Sequence, residues 1–204
     1  MKKIVASTGI LLFAVALLLP AAPVKAADVA WELDAGHSSV GFVVRHLGIS
    51  KVRGKFATFN ATIKASEKDG KIVSVQAEAD VNSVDTGIKK RDDHLRAPDF
   101  FDAKKFPKMM LKTKRITWKG DDVIIVADLT IKGVTKTVEF KGEYLGSQKA
   151  NFGTPQLRAG YSLKGVINRQ DFGLSFNAIA EGVSIVADKV IIELEIEMVL
   201  PLKK

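Results

Sequence analysis

The chain has 204 residues, no cysteine, and a formal net charge of +8 from 31 basic and 23 acidic side chains. Without thiols there is neither a disulfide scaffold nor thiolate chemistry. The basic excess is mild and spread along the chain, which argues against a nucleic-acid partner and is compatible with transient contact with an anionic membrane surface.

The first 26 residues read as a secretory signal peptide. Lys2 and Lys3 open it, Ile10 to Leu19 is an almost unbroken apolar run, and Val24-Lys25-Ala26 is a small-residue cleavage pattern. The apolar run is too short to span a membrane. Cleavage after Ala26 leaves residues 27–204 as one exported domain, with the periplasm as its expected location. Removal of Lys2, Lys3 and Lys25 leaves 28 basic against 23 acidic residues, a net +5.

From Trp31 onward the dominant pattern is alternation, which places apolar side chains on one face of a strand and polar ones on the other. Strands are expected at Ser38–His46, Ala57–Ala65, Val73–Val81, Met110–Trp118, Val123–Ile131, Thr135–Glu143, Arg158–Asn168 and Val190–Met198. The last is the clearest, with Val190, Ile192, Leu194, Ile196 and Met198 opposite Glu193, Glu195 and Glu197. Lys68-Asp69-Gly70, Lys119–Asp122 and Lys132-Gly133 supply hairpin turns. The convincing helix follows Asp85-Thr86, carries Ile88, Asp92 and Leu95 on one side, and stops before Pro98. A second short turn is expected at Asp99–Lys104.

Eight strands with dry faces and little helix to cover them must close on themselves or stack. The expected fold is therefore all-β with one or two short helices, an eight-stranded antiparallel barrel. Alanines 57, 61, 65, 77 and 79 fill little volume on the dry faces, which favours an internal apolar cavity. An outer-membrane barrel does not fit, because the outward faces carry lysine, glutamate and threonine, with two tryptophans and two tyrosines in all.

The polar motifs stand in a recognisable order: HSSVGFVVRHLG (37–48), GKFATFNATI (54–63), NSVDTGIKKRDDHLRAPDFFDAKKFP (82–107), ADLTIKGVTKTVEF (127–140) and RAGYSLKGVINRQDFGL (158–174). Together they resemble the YceI-like family of exported lipid-binding proteins, over essentially all of residues 27–204. The resemblance implies a lipocalin-like barrel with helices at its mouth and a long isoprenoid or similar amphiphile inside. Ala97 departs from the family's frequent serine.

Two sets of candidate ligand-binding residues follow. Val40, Phe42 and Val44 share a strand face and, with Phe59, Leu95, Phe100, Phe101 and Phe172, are candidates for the apolar wall. Arg45, His46, Arg91, Asp92, His94, Arg96 and Arg169 are candidates for the mouth, where forked arginine donors would suit an anionic head. The plainer reading gives these charged residues to one another and to loop backbone. An enzyme reading makes His46 or His94 a base oriented by Asp92, with Arg45 or Arg91 beside an anion. A metal reading gathers His37, His46 and His94, but no HxH or HExxH spacing supports it. A third alternative is an envelope stress module with a solid interior. The expectation is a lipid carrier, monomeric or homodimeric, with a long-chain isoprenoid or fatty lipid as its partner. It needs no catalytic residue, metal or other cofactor.

Overall fold

The alternating stretches form strands in the computed structural model, which describes residues 27–180 and 182–202. The expected signal peptide (1–26) lies outside the described residues. In chain order the strands are β1 (Asp28–Leu33), β2 (Ser39–His46), β3 (Ser50–Phe56), β4 (Phe59–Ser66), β5 (Ile72–Asp80), β6 (Val84–Asp85), β7 (Lys108–Lys119), β8 (Asp122–Ile131), β9 (Val134–Asn151), β10 (Pro155–Asn168), β11 (Ile179–Ala180), β12 (Val183–Ser184) and β13 (Val186–Pro201). One helix, α1 (Lys89–Leu95), lies between β6 and β7.

Eight antiparallel strands close a ring in the order β1-β4-β5-β7-β8-β9-β10-β13, sealed where Glu32 and Leu33 of β1 face Val199 and Met198 of β13. The barrel is the expected one, but its membership differs by one strand. β2 pairs with the first half of β13, carries β3 and β6 beyond it, and forms a flap on the ring. β1 takes the eighth place. Its six residues bury Trp31 alone, too brief an alternation to show as a strand in the sequence.

Register explains a second difference. Val73 is 49% exposed although it alternates with Val75 and Ala77 in sequence. A bulge between Lys64 and Ala65 pairs Lys64 with Ser74 and Ala65 with Ile72, so Val73 has no partner and Ile72 turns inward instead. The helix start also departs from expectation. Ile88 is the cap residue and supplies no side-chain bond. The nearby carboxylate of Asp92 instead accepts from the Thr86 backbone N–H at 2.9 Å, which folds α1 back onto the strand before it.

Close strand packing sets one sharp requirement. A Cβ at Gly142 on β9 would stand 1.9 Å from the backbone oxygen of Ser162 on β10, and backbone cannot swing aside as a long side chain can. Gly142→Ala is expected to cost about 1–3 kcal/mol in urea unfolding, the usual range for forced overpacking. An unchanged midpoint would mean that β9 and β10 separate freely there.

The two barrel ends differ. At one end the connections are tight turns at 67–71, 120–121 and 152–154. There Tyr161 donates to Gly70 O at 2.6 Å and accepts from Ile72 N–H at 3.1 Å, and burial pushes its phenol pKa up. At the other end two long connections meet, residues 81–107 and 169–185. Val81 N–H bonds Pro107 O at 2.8 Å, closing the first segment at its base. Lys132 joins the two segments, donating to Pro98 O at 2.6 Å and Gly173 O at 2.8 Å.

Candidate functional site

Inward positions of the ring enclose a cavity of about 220 Å³ whose wall is almost wholly apolar. β13 contributes Val190, Ile192, Leu194, Ile196 and Met198, the dry face of its alternation. From Val190 to Met198 the strand rises about 27 Å. The volume is below the ~300–1,000 Å³ of a typical drug-sized site. One water-sized group takes about 10–15 Å³, so at least a dozen such groups fit.

The alanines divide. Ala61, Ala77 and Ala79 lie on the wall, where Ala61 faces Ala77 and Ala77 faces Leu111 across β4, β5 and β7. Their missing side-chain volume is part of the void. Ala57 is exposed in the turn before β4, and Ala65 is fully buried away from the cavity.

Of the wall candidates, Val40, Phe42, Val44, Phe59, Leu95, Phe100 and Phe101 line the cavity. Phe42, Phe56 and Phe101 form a run of aromatic contacts with ring centres 5.8 and 5.6 Å apart. They connect the β2–β3 flap to the segment after α1. Phe172 is a correction. It is 2% exposed within the core but does not reach the cavity.

Of the mouth candidates, Arg169 alone reaches the wall. Arg45 is exposed and donates to Gly48 O at 3.1 Å, within its own turn. His46 is half-buried at the end of β2, opposite Val186. Arg91 donates to the Thr86 hydroxyl at 2.7 Å and to Thr86 O at 2.8 Å. Asp92 is buried and also accepts from the Thr86 hydroxyl. Arg96 bonds Asn82 O, Val84 O and the Asp93 carboxylate at 3.0–3.1 Å. The forked donors are engaged by backbone oxygens, the Thr86 hydroxyl and the Asp93 carboxylate, so these side chains tie the 81–107 segment together. His94 pairs with Asp99 at 2.8 Å and meets the ring edges of Phe100 and Phe176. Its partner is therefore not Asp92, and the base-and-orienter pair of the enzyme reading is not assembled.

Arg169 is 2% exposed. It donates to Leu174 O at 2.6 Å, Val186 O and Ala187 O at 3.2 Å, and Asp188 at 2.9 Å. Burial lowers its pKa and Asp188 offsets part of that. A guanidinium titrates so high that it stays charged. Its polar end is thus held by protein groups where the 174–188 stretch crosses the barrel end.

The three histidines do not converge as the metal reading requires. Among the described residues, the group with ligand atoms within 4.8 Å of one another is Asp34, His37 and Glu197. Arg158 already bonds both carboxylates and supplies the positive charge there. Burial raises the Asp34 pKa, but the hydrogen bonds from His37 and Arg158 outweigh it and hold the carboxyl below 3.8. A lowered folded-state pKa contributes stability above the unfolded value that is lost as pH falls through the folded one. The stability difference between the protein and Arg158→Met is therefore expected to be constant from pH 7 to about 5 and to narrow below about 4. A gap that widens on acidification in denaturant titrations would contradict that assignment.

The rest of the wall comes from residues that carried no signal of their own. Leu129, Phe140 and Leu163 fall on dry faces of expected strands, whereas Met109 and Leu174 lie outside those strands. In β8, Val123, Ile125, Ala127, Leu129 and Ile131 all point inward. Ile125, Leu129 and Ile131 reach the cavity while Val123 and Ala127 do not. Alternation gives the face, while side-chain reach and position along the strand decide which inward residue meets the void.

A family model described as the YceI-like domain matches residues 31–198. Protein YceI of Escherichia coli is 34% identical over 158 residues, covering 78% of this chain and 82% of that protein. A UPF0312 protein of Pectobacterium atrosepticum is 32% identical over 164 residues, 80% of this chain and 84% of that one. Among solved structures, BcnA of Burkholderia cenocepacia superposes with a TM-score of 0.68 at 27% identity, covering 81% of this chain and 99% of BcnA. A polyisoprenoid binding domain from Saccharophagus degradans, implicated in plant cell wall breakdown, has the same fold at 18% identity with a TM-score of 0.59, covering 84% and 99%.

Proposed function

Because the chain belongs to the YceI-like family, we propose that its barrel holds the hydrocarbon part of a long-chain isoprenoid or similar fatty amphiphile and sequesters or carries it in the periplasm. The observation that carries this reading is the cavity: a space of about 220 Å³ whose wall is almost wholly carbon. An apolar void of that kind attracts methylenes and offers little to a polar metabolite. Each buried methylene contributes about 0.8 kcal/mol, so ten contribute about 8 kcal/mol before ordering costs are subtracted. That reaches the micromolar range without any head-group contact. Polyisoprenoids, the class that the Saccharophagus domain is described as binding, fit this account.

Affinity in this reading comes from the wall, and the charged residues at the rim hold the cover in place. Organic extraction of protein purified without added lipid, followed by mass spectrometry, tests it. One chain amphiphile per barrel is the expected result. A barrel that is empty as isolated, and stays empty after incubation with a polyprenol and with a fatty acid, would end the proposal.

A further inference from the structure

Beyond the cavity, several of the exposed large apolar residues stand on two adjoining hairpins. Ile49 is 87% exposed at the tip of the β2–β3 hairpin. The turn is tight, with Leu47 and Gly48 both at positive φ and Ile49 N–H bonded to His46 O, so the isoleucine is presented outward. A second hairpin, β11–β12, stands beside it through Leu47 N–H to Ile185 O at 3.0 Å, and exposes Ile179 by 64% and Val183 by 47%. Exposed branched residues gathered on adjoining tips favour an apolar partner.

The charge around the first tip has one sign. Residues 45–55 hold Arg45, Lys51, Arg53 and Lys55 and no carboxylate. Register puts Lys51 opposite Arg45 and alternation puts Arg53 and Lys55 on the same outer face. Of the acids nearby, Asp85 stands opposite Lys55 at the far end of β3, Glu193 is paired with Arg53 at 2.8 Å, and Asp188 with Arg169. Glu181, in the loop of the second hairpin, lies outside the described residues. Apolar tips within a cationic surround match a bilayer surface with anionic head groups.

Position links this surface to the cavity. His46 faces Val186 across β2 and β13, and Val44 and Val186 both line the cavity. The exposed tips thus stand at the barrel end where the cavity wall finishes, the end that also carries the 81–107 and 169–185 segments.

The geometry points to a membrane-docking surface, formed by the β2–β3 and β11–β12 tips, that seats this barrel end on an anionic bilayer for cargo to pass between leaflet and cavity. The inference rests on the proposed lipid-holding function for its purpose, but it has its own test.

Vesicle flotation with purified protein, its intact mass recorded so that any retained N-terminal segment is known, provides that test. Phosphatidylcholine vesicles are compared with vesicles containing added phosphatidylglycerol. Binding to the anionic vesicles, weakened by salt, is expected. Each basic residue near an anionic surface strengthens partition about fivefold, so Lys51→Glu is expected to weaken it about 25-fold. Ile49→Ser is expected to weaken it about tenfold by removing the inserted side chain. Lys119→Gln, at the opposite barrel end, serves as a control with little change. Cavity occupancy, read in parallel by native mass spectrometry, is expected to be the same in all three variants. A lipid-loaded protein that ignores anionic vesicles, or binds them regardless of Ile49 and Lys51, overturns the docking surface alone. Self-association that depends on Ile49 without vesicle binding also overturns it, in favour of a second copy. An empty wild-type barrel that still docks overturns the lipid-holding reading and leaves the surface standing.

Discussion

Ala77→Phe is expected to empty the barrel while leaving it folded. Ala77 lies on the cavity wall, flanked by Ala61 and Leu111 on the neighbouring strands. A benzyl group there has an existing void to enter, so it need not displace packed neighbours. Unfolding stability is expected to change by less than about 1.5 kcal/mol, as for a tolerated apolar replacement. Cargo meets the opposite circumstance. If the ring excludes four methylenes, binding loses about 3 kcal/mol, more than a hundredfold in Kd.

His94→Ala provides the contrast. His94 is off the wall, and its removal breaks an exposed pair with Asp99 that is worth about 0–1 kcal/mol to stability. Its effect on occupancy is expected to stay within about threefold. Native mass spectrometry after loading with one defined polyprenol compares the two variants directly. A folded Ala77→Phe barrel at full occupancy, or a larger loss in His94→Ala, would move the source of affinity from the wall to the rim.

That contrast follows the line between what was legible in the sequence and what was not. Alternation exposed the barrel because each ring strand except β1 repeats its dry positions at least several times. It exposed the wall for the same reason: Val40, Phe42 and Val44, and the run from Val190 to Met198, were legible as faces and reach the void as faces. The mouth was less legible because charge has no comparable signature. RDDHLR is equally dense whether it grips a ligand or ties α1 to the strand before it. Thr86, which pairs with both Arg91 and Asp92, gives no hint in sequence that it is their shared partner. Phe172 fails differently. Its burial was foreseeable, but a local pattern cannot say which side of a packed layer a loop aromatic will take.

Arg169→Ala is the substitution expected to cost most stability. Its guanidinium holds three backbone oxygens, those of Leu174, Val186 and Ala187, and deletion leaves all three without that donor. Leaving a buried acceptor unpaired costs about 1–3 kcal/mol, and three together are a large share of the 5–15 kcal/mol that keeps a domain folded. Two further variants separate the causes. Arg169→Met restores most of the volume without the donors, so it should recover only the packing part of the loss. Asp188→Asn removes the charge partner, but Asp188 is half exposed and the pair is screened by water, so about 0–1 kcal/mol is expected. Urea midpoints at constant m-value give the three numbers. The order Arg169→Ala, Arg169→Met, Asp188→Asn, from most to least damaging, means that the carbonyl bonds hold the 174–188 stretch to the barrel. A methionine as stable as the arginine would mean that shape alone holds it, and that the buried charge serves something other than the fold.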